Sequence, residues 1–173
     1  MAIYALGDVE PQIHETAFVH PQATVIGDVR IGAGSSIWPQ AVLRGDGASG
    51  IRIGENTSIQ DGSVIHMTDE HPTIVGDRCV IGHLVHLEGC TVEDDVLVGN
   101  GAVVLHRALL RSWSLVGSNA VVTNDTELPS RAMALGIPAK ILPDRVTDEA
   151  ITHGSDTYTE RAQIYRRDLR RLD

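Results

Sequence analysis

The sequence predicts an all-β solenoid, in which short parallel strands stack coil upon coil, followed by a C-terminal α-helix. Aliphatic residues recur at every sixth position from Val92 to Val122. Residues of the same kind precede a glycine at Ile26, Ile31, Ile53, Val75, Ile81, Val98 and Val116. Only six of the 173 residues are aromatic, as expected for a narrow interior of Ile, Val, Leu and Ala. A sandwich or barrel of short strands, the alternative fold, does not require a six-residue period through so many steps.

The first third of the chain supplies a cap and the first coils. Residues 2–11 form an apolar strand and turn that we expect to cover the exposed end of the stack. The repeat runs through residues 17–39 and resumes at Ile51, after the glycine-rich stretch 47–50. Just before that stretch, Arg44 and Asp46 flank a glycine, which is typical of a functional pair and equally of an ordinary surface ion pair.

A break in the period brings a histidine and a carboxylate together. Ile65 and Leu87 are 22 residues apart, whereas one three-sided coil of hexapeptides takes about 18 residues. An insertion of about four residues within the loop 67–73 restores the register. His66 and Glu88 then lie on the same side of adjacent coils, at the usual strand separation of about 4.8 Å.

His83 follows Ile81, one hexapeptide before Leu87, so it lies about a third of a turn around the coil and faces a different direction from His66 and Glu88. Imidazole and carboxylate groups are ligands for a divalent metal. To join the other two ligands, His83 has to come from a neighbouring copy, which predicts a site between subunits and a cyclic homotrimer. Solvated turn positions are expected for His14, His20, His106 and His153.

The repeat ends after Val121, and the chain leaves it through the Gly-Ile-Pro-Ala-Lys sequence at residues 136–140. From about Thr147 the apolar period becomes helical, with a seven-residue spacing through Ile151, Tyr158, Tyr165 and Leu172, and with Ala162 and Leu169 between them. We therefore divide the chain into the solenoid, 1–143, and a helical segment, 144–173, that packs on the prism as part of the same domain.

Charge and composition exclude several kinds of partner. The net charge of −9 and the pI of about 5.2 argue against nucleic acid. Cys79 and Cys90 lie within the repeats and lack the spacing of a disulfide framework, which favours a reducing cytoplasm. The sequence has no recognisable signal peptide or spanning segment, so we expect a cytoplasmic protein without a membrane partner.

Five short motifs occur together, namely Arg44-Gly45-Asp46, Asn56-Thr57-Ser58-Ile59-Gln60-Asp61-Gly62, Val64-Ile65-His66, Ile81-Gly82-His83 and Gly89-Cys90-Thr91. The combination resembles the γ-class carbonic anhydrases and their bacterial relatives over about residues 9–140. The resemblance implies a left-handed β-helix trimer, a hand that the period alone does not predict because crossovers between parallel strands are ordinarily right-handed. It also implies a lyase that reversibly hydrates CO2 to bicarbonate by metal-bound hydroxide, with zinc as the metal, or iron or cobalt.

The resemblance further implies roles for individual residues. His66 and His83 would bind the metal, with His83 supplied by the adjacent subunit. The polar surround of the site would consist of Arg44, Asp46, Gln60 and Asp61, with Arg44 also tying subunits together. Gln60 and Tyr158 would orient hydroxide or bicarbonate. By their position in the loop just after His66, and not from the resemblance, Asp69, Glu70 and His71 are candidates to carry the proton to bulk water, the alternative being a simply solvated loop.

The chain departs from the family pattern at the third ligand. The pattern Gly-His, four residues, His-Gly-Cys expects histidine at position 88, whereas this chain has Glu88 there and His86 two places earlier. Residues 86 and 88 project to the same face of a strand. Either Glu88 binds directly in a two-His, one-carboxylate site, or His86 restores three imidazoles, or the site has lost its metal. A carboxylate ligand would offset part of the metal charge, so that activity would be lower or shifted to alkaline pH.

Two other functional classes remain open. One is an acyltransferase that uses coenzyme A, because the exit at residues 136–140 is common to hexapeptide proteins of that class and His71 is an available base. The other is a non-catalytic trimer that binds or assembles partners and carries a degenerate metal site.

Overall fold

The computed structural model describes residues 2–173 and confirms a parallel β-solenoid of about seven coils with one C-terminal helix. The strands of the first coils are β1 (Ala2–Tyr4), β2 (Gln12–Ile13), β3 (Phe18–Val19), β4 (Thr24–Gly27), β5 (Val29–Ile31), β6 (Ser36–Ile37), β7 (Val42–Gly45), β8 (Ile51–Ile53), β9 (Ser58–Ile59), β10 (Val64–His66), β11 (Thr73–Val75) and β12 (Val80–Ile81). The later strands are β13 (His86–Glu88), β14 (Thr91–Val92), β15 (Leu97–Val98), β16 (Val103–Val104), β17 (Leu109–Leu110), β18 (Leu115–Val116), β19 (Val121–Val122), β20 (Glu127–Leu128), β21 (Met133–Leu135) and β22 (Lys140–Leu142).

The strands form three sheets, which are the three faces of a prism. The first face has the order β1-β4-β7-β10-β13-β16-β19, the second β2-β5-β8-β11-β14-β17-β20, and the third β3-β6-β9-β12-β15-β18-β21-β22. Neighbouring strands are parallel and three strands apart in sequence, so each triplet of strands completes one coil. The last pair differs, because β22 runs antiparallel to β21 and ends the stack.

Inward-facing aliphatic side chains form the core. On the first face, these residues pair directly with their neighbours from coil to coil. The column consists of Val25, Leu43, Ile65, Leu87, Val104 and Val122, all with 0% exposure. The six-residue period therefore marks positions that bury aliphatic surface, the main favourable contribution to folding.

The predicted insertion is confirmed. From Ile65 to Val75 the chain takes ten residues to pass from the first face to the second, whereas the ordinary step from Val25 to Ile31 takes six. The four additional residues form a loop at the corner between the first and second faces. The strands on either side keep their register, with Ile65 paired to Leu87 and His66 paired to Glu88.

The helix α1 (Asp148–Asp168) runs back along the third face. Thr147 caps its first turn, because its hydroxyl accepts a hydrogen bond from the Ala150 N–H. The helix packs on β3 through an aromatic cluster made of Phe18, Trp38, Tyr158, Ala162 and Tyr165. Among residues 2–173, no helix combines the length and the apolar composition that a membrane span requires.

The predicted apolar stripe was wrong at its C-terminal end. Leu169 follows the last helical residue and is 46% exposed, and Leu172 is 83% exposed. Tyr165 packs on Phe18 of β3, the outermost strand of the third face. The chain beyond it has passed the end of the sheet, so Leu169 lies beside residues 20–22 and is only half covered, and Leu172 is left exposed.

Both cysteine thiols are expected to resist alkylation in the folded protein. Burial raises the pKa of the Cys79 and Cys90 thiols to about 12, so that about one thiol in ten thousand is ionised at pH 8. Treatment with iodoacetamide followed by mass spectrometry of the intact chain should show no adduct, and two adducts once the protein is unfolded in urea. Rapid labelling of the native protein would contradict the burial of both residues.

Candidate functional site

Three polar residues of the first face lie one above another on successive coils. Arg44 pairs with His66 across β7 and β10, and His66 pairs with Glu88 across β10 and β13. All three side chains point outward, because they alternate with the buried residues Leu43, Ile65 and Leu87. The structure thus confirms that His66 and position 88 share one side of adjacent coils.

His66 is held in one orientation by Arg44. Its Nδ1 donates to the Arg44 carbonyl oxygen at 2.9 Å, and its Nε2 accepts from the Arg44 Nη2 at 3.0 Å. Asp46 forms an ion pair with Arg44 and places a carboxylate oxygen 3.6 Å from the His66 Nδ1. The carbonyl fixes the Nδ1 tautomer that is usual for a metal-ligating histidine, but the Nε2 lone pair that a metal would use is taken by the Arg44 guanidinium, which has to move aside before a metal can bind.

Glu88 contacts two other imidazoles of the same face. Its Oε2 lies 3.1 Å from the His86 Nε2 and 3.6 Å from the His106 Nε2. Partial burial by itself raises the pKa of the Glu88 carboxyl, but the hydrogen bond with His86 and the charges of the nearby imidazoles outweigh that effect and hold this pKa below its ordinary value. Glu88 is therefore a carboxylate at neutral pH.

His106 is a neighbour of the site that the sequence interpretation missed, since it was expected to be a solvated turn residue. The period does not predict this contact, because the coil takes 17 residues here, with Leu87 paired to Val104, so that His106 lies one position beyond the residue opposite Glu88. Its contact with Glu88 makes it part of the first-face cluster.

A cleft of about 320 Å³ lies beside these residues. Its lining residues are Asp46, Gly47, His66, Met67, Thr68, Asp69 and Glu88. The inserted loop forms one wall and is tied to the 46–50 segment, where the Ala48 N–H donates to Asp69 at 3.2 Å. Of the loop residues named as proton carriers, Asp69 lines the cleft, whereas His71 is turned to Arg107, 3.4 Å from its Nη1.

The remaining predicted residues lie at the corner between the third and first faces, which we call the His83 corner. His83 follows β12, and its Nδ1 lies 2.9 Å from the Asp61 Oδ2. The side chain of His83 is 43% exposed, and its Nε2 is left for another ligand. Gln60 is buried at this corner with 2% exposure. The carboxylate of Asp61 orients the His83 ring in the way that second-shell carboxylates orient metal-bound histidines.

Tyr158 belongs to the same side of the molecule as His83. Its ring packs edge-on against Trp38, with 5.9 Å between ring centroids. Trp38 follows β6 and is one coil from Gln60, which follows β9. The helix thus places Tyr158 near the His83 corner of its own chain, and not beside His66 and Glu88.

The predicted site residues therefore fall into two groups. The first-face group contains Arg44, Asp46, His66, His86 and Glu88, and the His83 corner contains Gln60, Asp61, His83 and Tyr158. Within one chain, residues 2–173 contain no group of three or more His, Cys, Asp or Glu side chains arranged to hold a metal ion. The donor chemistry of the two groups, imidazole nitrogens backed by oxygen atoms and one carboxylate, fits a divalent metal.

Comparison with known proteins finds similar proteins among the hexapeptide-repeat proteins. The bacterial transferase hexapeptide family (six repeats) matches residues 10–45. Gamma carbonic anhydrase 1, mitochondrial, of Arabidopsis thaliana is 41% identical over 163 residues, which cover 91% of this chain and 58% of the plant protein. The chain thus spans little more than half the length of that relative.

Two bacterial proteins are similar over most of their own length. The carnitine operon protein CaiE of Escherichia coli K12 is 39% identical over 150 residues, covering 86% of this chain and 76% of that protein. The crystal structure of a hexapeptide transferase family protein from Anaplasma phagocytophilum has a TM-score of 0.89 and 32% identity, covering 95% of this chain and 98% of that one.

Proposed function

The chain belongs to the γ-class carbonic anhydrase-like family of hexapeptide-repeat proteins, and we propose that it is a homotrimeric metalloenzyme that reversibly hydrates CO2 to bicarbonate. One observation carries the proposal. His66 and Glu88 are stacked on the first face, while His83 is held by Asp61 at another corner. Each chain thus carries both groups of donors that the proposed site needs, in positions that two neighbouring subunits of a cyclic trimer would bring together.

The metal, zinc with iron or cobalt as alternatives, would be held by His66 and Glu88 of one subunit and by His83 of the next. Register favours Glu88 over His86 as the third ligand, because Glu88 is directly opposite His66, whereas His86 is opposite Val64. His86 instead contacts Glu88 through its Nε2 at 3.1 Å and orients that carboxylate. The donor set is the two-His, one-carboxylate combination known for catalytic zinc.

When bound, a divalent metal in such a site supplies a Lewis acid that activates water and polarises an oxygen of the substrate. The residues around the metal would attract and orient the substrate and product. Arg44 places a guanidinium beside His66, and this cation would attract bicarbonate, the anionic product. Gln60, buried at the His83 corner, and Tyr158, which packs near it, would orient substrate from the subunit that supplies His83.

Charge on the third ligand should determine the pH profile of CO2 hydration. A carboxylate offsets part of the metal charge and weakens its effect on bound water, so we expect the wild-type rate to rise on the alkaline side of neutrality. Glu88→His should move the rise to lower pH and increase the rate at pH 7. The measurement is stopped-flow CO2 hydration by the zinc-loaded protein across a pH series.

His86→Ala is the matched control, because it removes the neighbouring imidazole and leaves the carboxylate in place. If His86→Ala loses its metal while Glu88→Ala retains it, His86 is the third ligand. A zinc-loaded protein that hydrates no CO2 at any pH, and that binds coenzyme A in a calorimetric titration, would overturn the proposed activity in favour of the acyltransferase alternative.

A further inference from the structure

At the corner between the third and first faces, equivalent turn positions of successive coils form one row. The residue directly after His83 belongs to this row. The row contains Gln40, Gly62, Leu84, Gly101 and Asn119, with φ values of 60°, 68°, 60°, 68° and 58°. Their backbone N–H groups donate to carbonyls of the neighbouring coil, as in the 2.9 Å bond from Leu84 to Asp61 and the 2.8 Å bond from Gly101 to His83. The coils from Gln40 to Asn119 thus share a left-handed backbone conformation at this position.

Leu84 is the only aliphatic residue in this row, although other long side chains also take a positive φ, as at Gln40 and Trp113. A positive φ is routine for glycine and several-fold enriched for asparagine, but it is strained for a bulky aliphatic residue. Packing within the chain does not explain the leucine either, because Leu84 is 71% exposed. Its side chain lies over Gly62, where a Cβ added to the glycine would come within 2.7 Å of the Leu84 Cδ2. Neither backbone preference nor burial in its own subunit favours a leucine here.

The location of Leu84 indicates what covers it. It follows His83 directly, and in the proposed site His83 enters the first-face group of a neighbouring subunit. That face carries apolar side chains beside His66, since Val64 is 37% exposed and Val42 and Val103 are partly exposed. In register, Val42, Val64, His86 and Val103 form one outward row on successive strands. An aliphatic ridge thus lies next to the place where the His83 corner would dock.

We propose that Leu84 is the apolar anchor of the subunit interface, and that it inserts against the Val64 row of a second copy of this chain. Burial of the leucine in the assembly would offset the strain of its left-handed backbone, and would fix the position of His83 from the adjacent residue. This inference rests on the proposed function, because it takes the orientation of the two subunits from the shared metal site.

Leu84→Gly tests the anchor without endangering the fold, because glycine relieves the strain at a φ of 60°. Analytical ultracentrifugation of the full chain should show that the variant dissociates at higher concentration, with the dissociation constant of each subunit contact raised by about 10- to 100-fold, as expected for the lost burial of one leucine per interface. Thermal unfolding at a concentration where both proteins are dissociated should show a variant subunit at least as stable as the wild-type subunit. Leu172→Gly is the matched control. Leu172 is 83% exposed, so its replacement should leave assembly unchanged.

Metal content of the same samples, by elemental analysis, separates this inference from the proposed function. A wild-type trimer that holds metal, with Leu84→Gly assembling equally well, would overturn the anchor alone. A wild-type trimer without metal, weakened by Leu84→Gly, would support the anchor and overturn the metal site. A wild-type protein that is monomeric at all concentrations would overturn both.

Discussion

Replacing His83 with alanine is expected to lower the metal affinity of the protein by more than about 100-fold, because loss of a second-shell partner alone typically costs about 10- to 100-fold. His83 is the histidine that the proposed site takes from the neighbouring subunit, and Asp61 holds its ring through the Nδ1 at 2.9 Å, which leaves the Nε2 for the metal. Metal content after purification, followed by competition with a chelator of known affinity, measures the loss. Circular dichroism should show an unchanged fold, because the His83 side chain is 43% exposed.

His153→Ala is the control for this experiment, since His153 is an exposed residue of the helix and should leave metal content unchanged. Asp61→Asn should give an intermediate result. It keeps the shape of the partner of His83 but removes the charge that orients and polarises the imidazole. Full metal occupancy in His83→Ala would mean that the first-face group binds the metal without the neighbouring subunit.

Leu87→Ala is expected to destabilise the protein by about 2–5 kcal/mol, the usual cost of truncating a fully buried leucine. Leu87 is 0% exposed and packs between Ile65 and Val104 in the column of the first face. It also lies between His86 and Glu88 in β13, so any collapse of the strand into the cavity would displace the candidate third ligand. Urea unfolding followed by circular dichroism gives the loss in free energy, and metal content reports the displacement.

Leu109→Ala provides the matched comparison, because Leu109 is an outward-facing, partly exposed leucine of β17 on the second face. Its truncation should cost far less than that of Leu87. Equal losses for the two variants would show that the first-face column does not carry the core stability assigned to it.

Much of the fold was accessible from the sequence because a solenoid repeats one local pattern. The six-residue period identified the buried positions, and the count from Ile65 to Leu87 located the four-residue insertion. That arithmetic also predicted the alignment of His66 with Glu88 and the separate direction of His83, both of which the structure confirms. In a stack of parallel coils, sequence separation converts directly into position on a face.

Other features depend on contacts that a period does not encode. The hand of the coil came only from the family resemblance, because the spacing is the same for either hand. The end of the helix depends on where the third face stops, so the spacing of Leu169 and Leu172 was misleading. The clamp of Arg44 on His66 and the contact of His106 with Glu88 depend on side-chain directions that only the folded structure gives.

The central claim, a metal site shared between subunits, is tested most directly by mixing two inactive variants. His66→Ala and His83→Ala each remove one ligand from every site of their own trimers. In mixed trimers from equal amounts, a site is complete when a subunit with intact His66 and Glu88 adjoins one with intact His83, and random assembly makes this about one site in four. Metal content of the mixed, reassembled protein should therefore recover to about a quarter of the wild-type value while both parent variants remain without metal. If the mixture stays as metal-free as its parents although the subunits exchange, each site takes all its ligands from a single chain and the shared site is wrong.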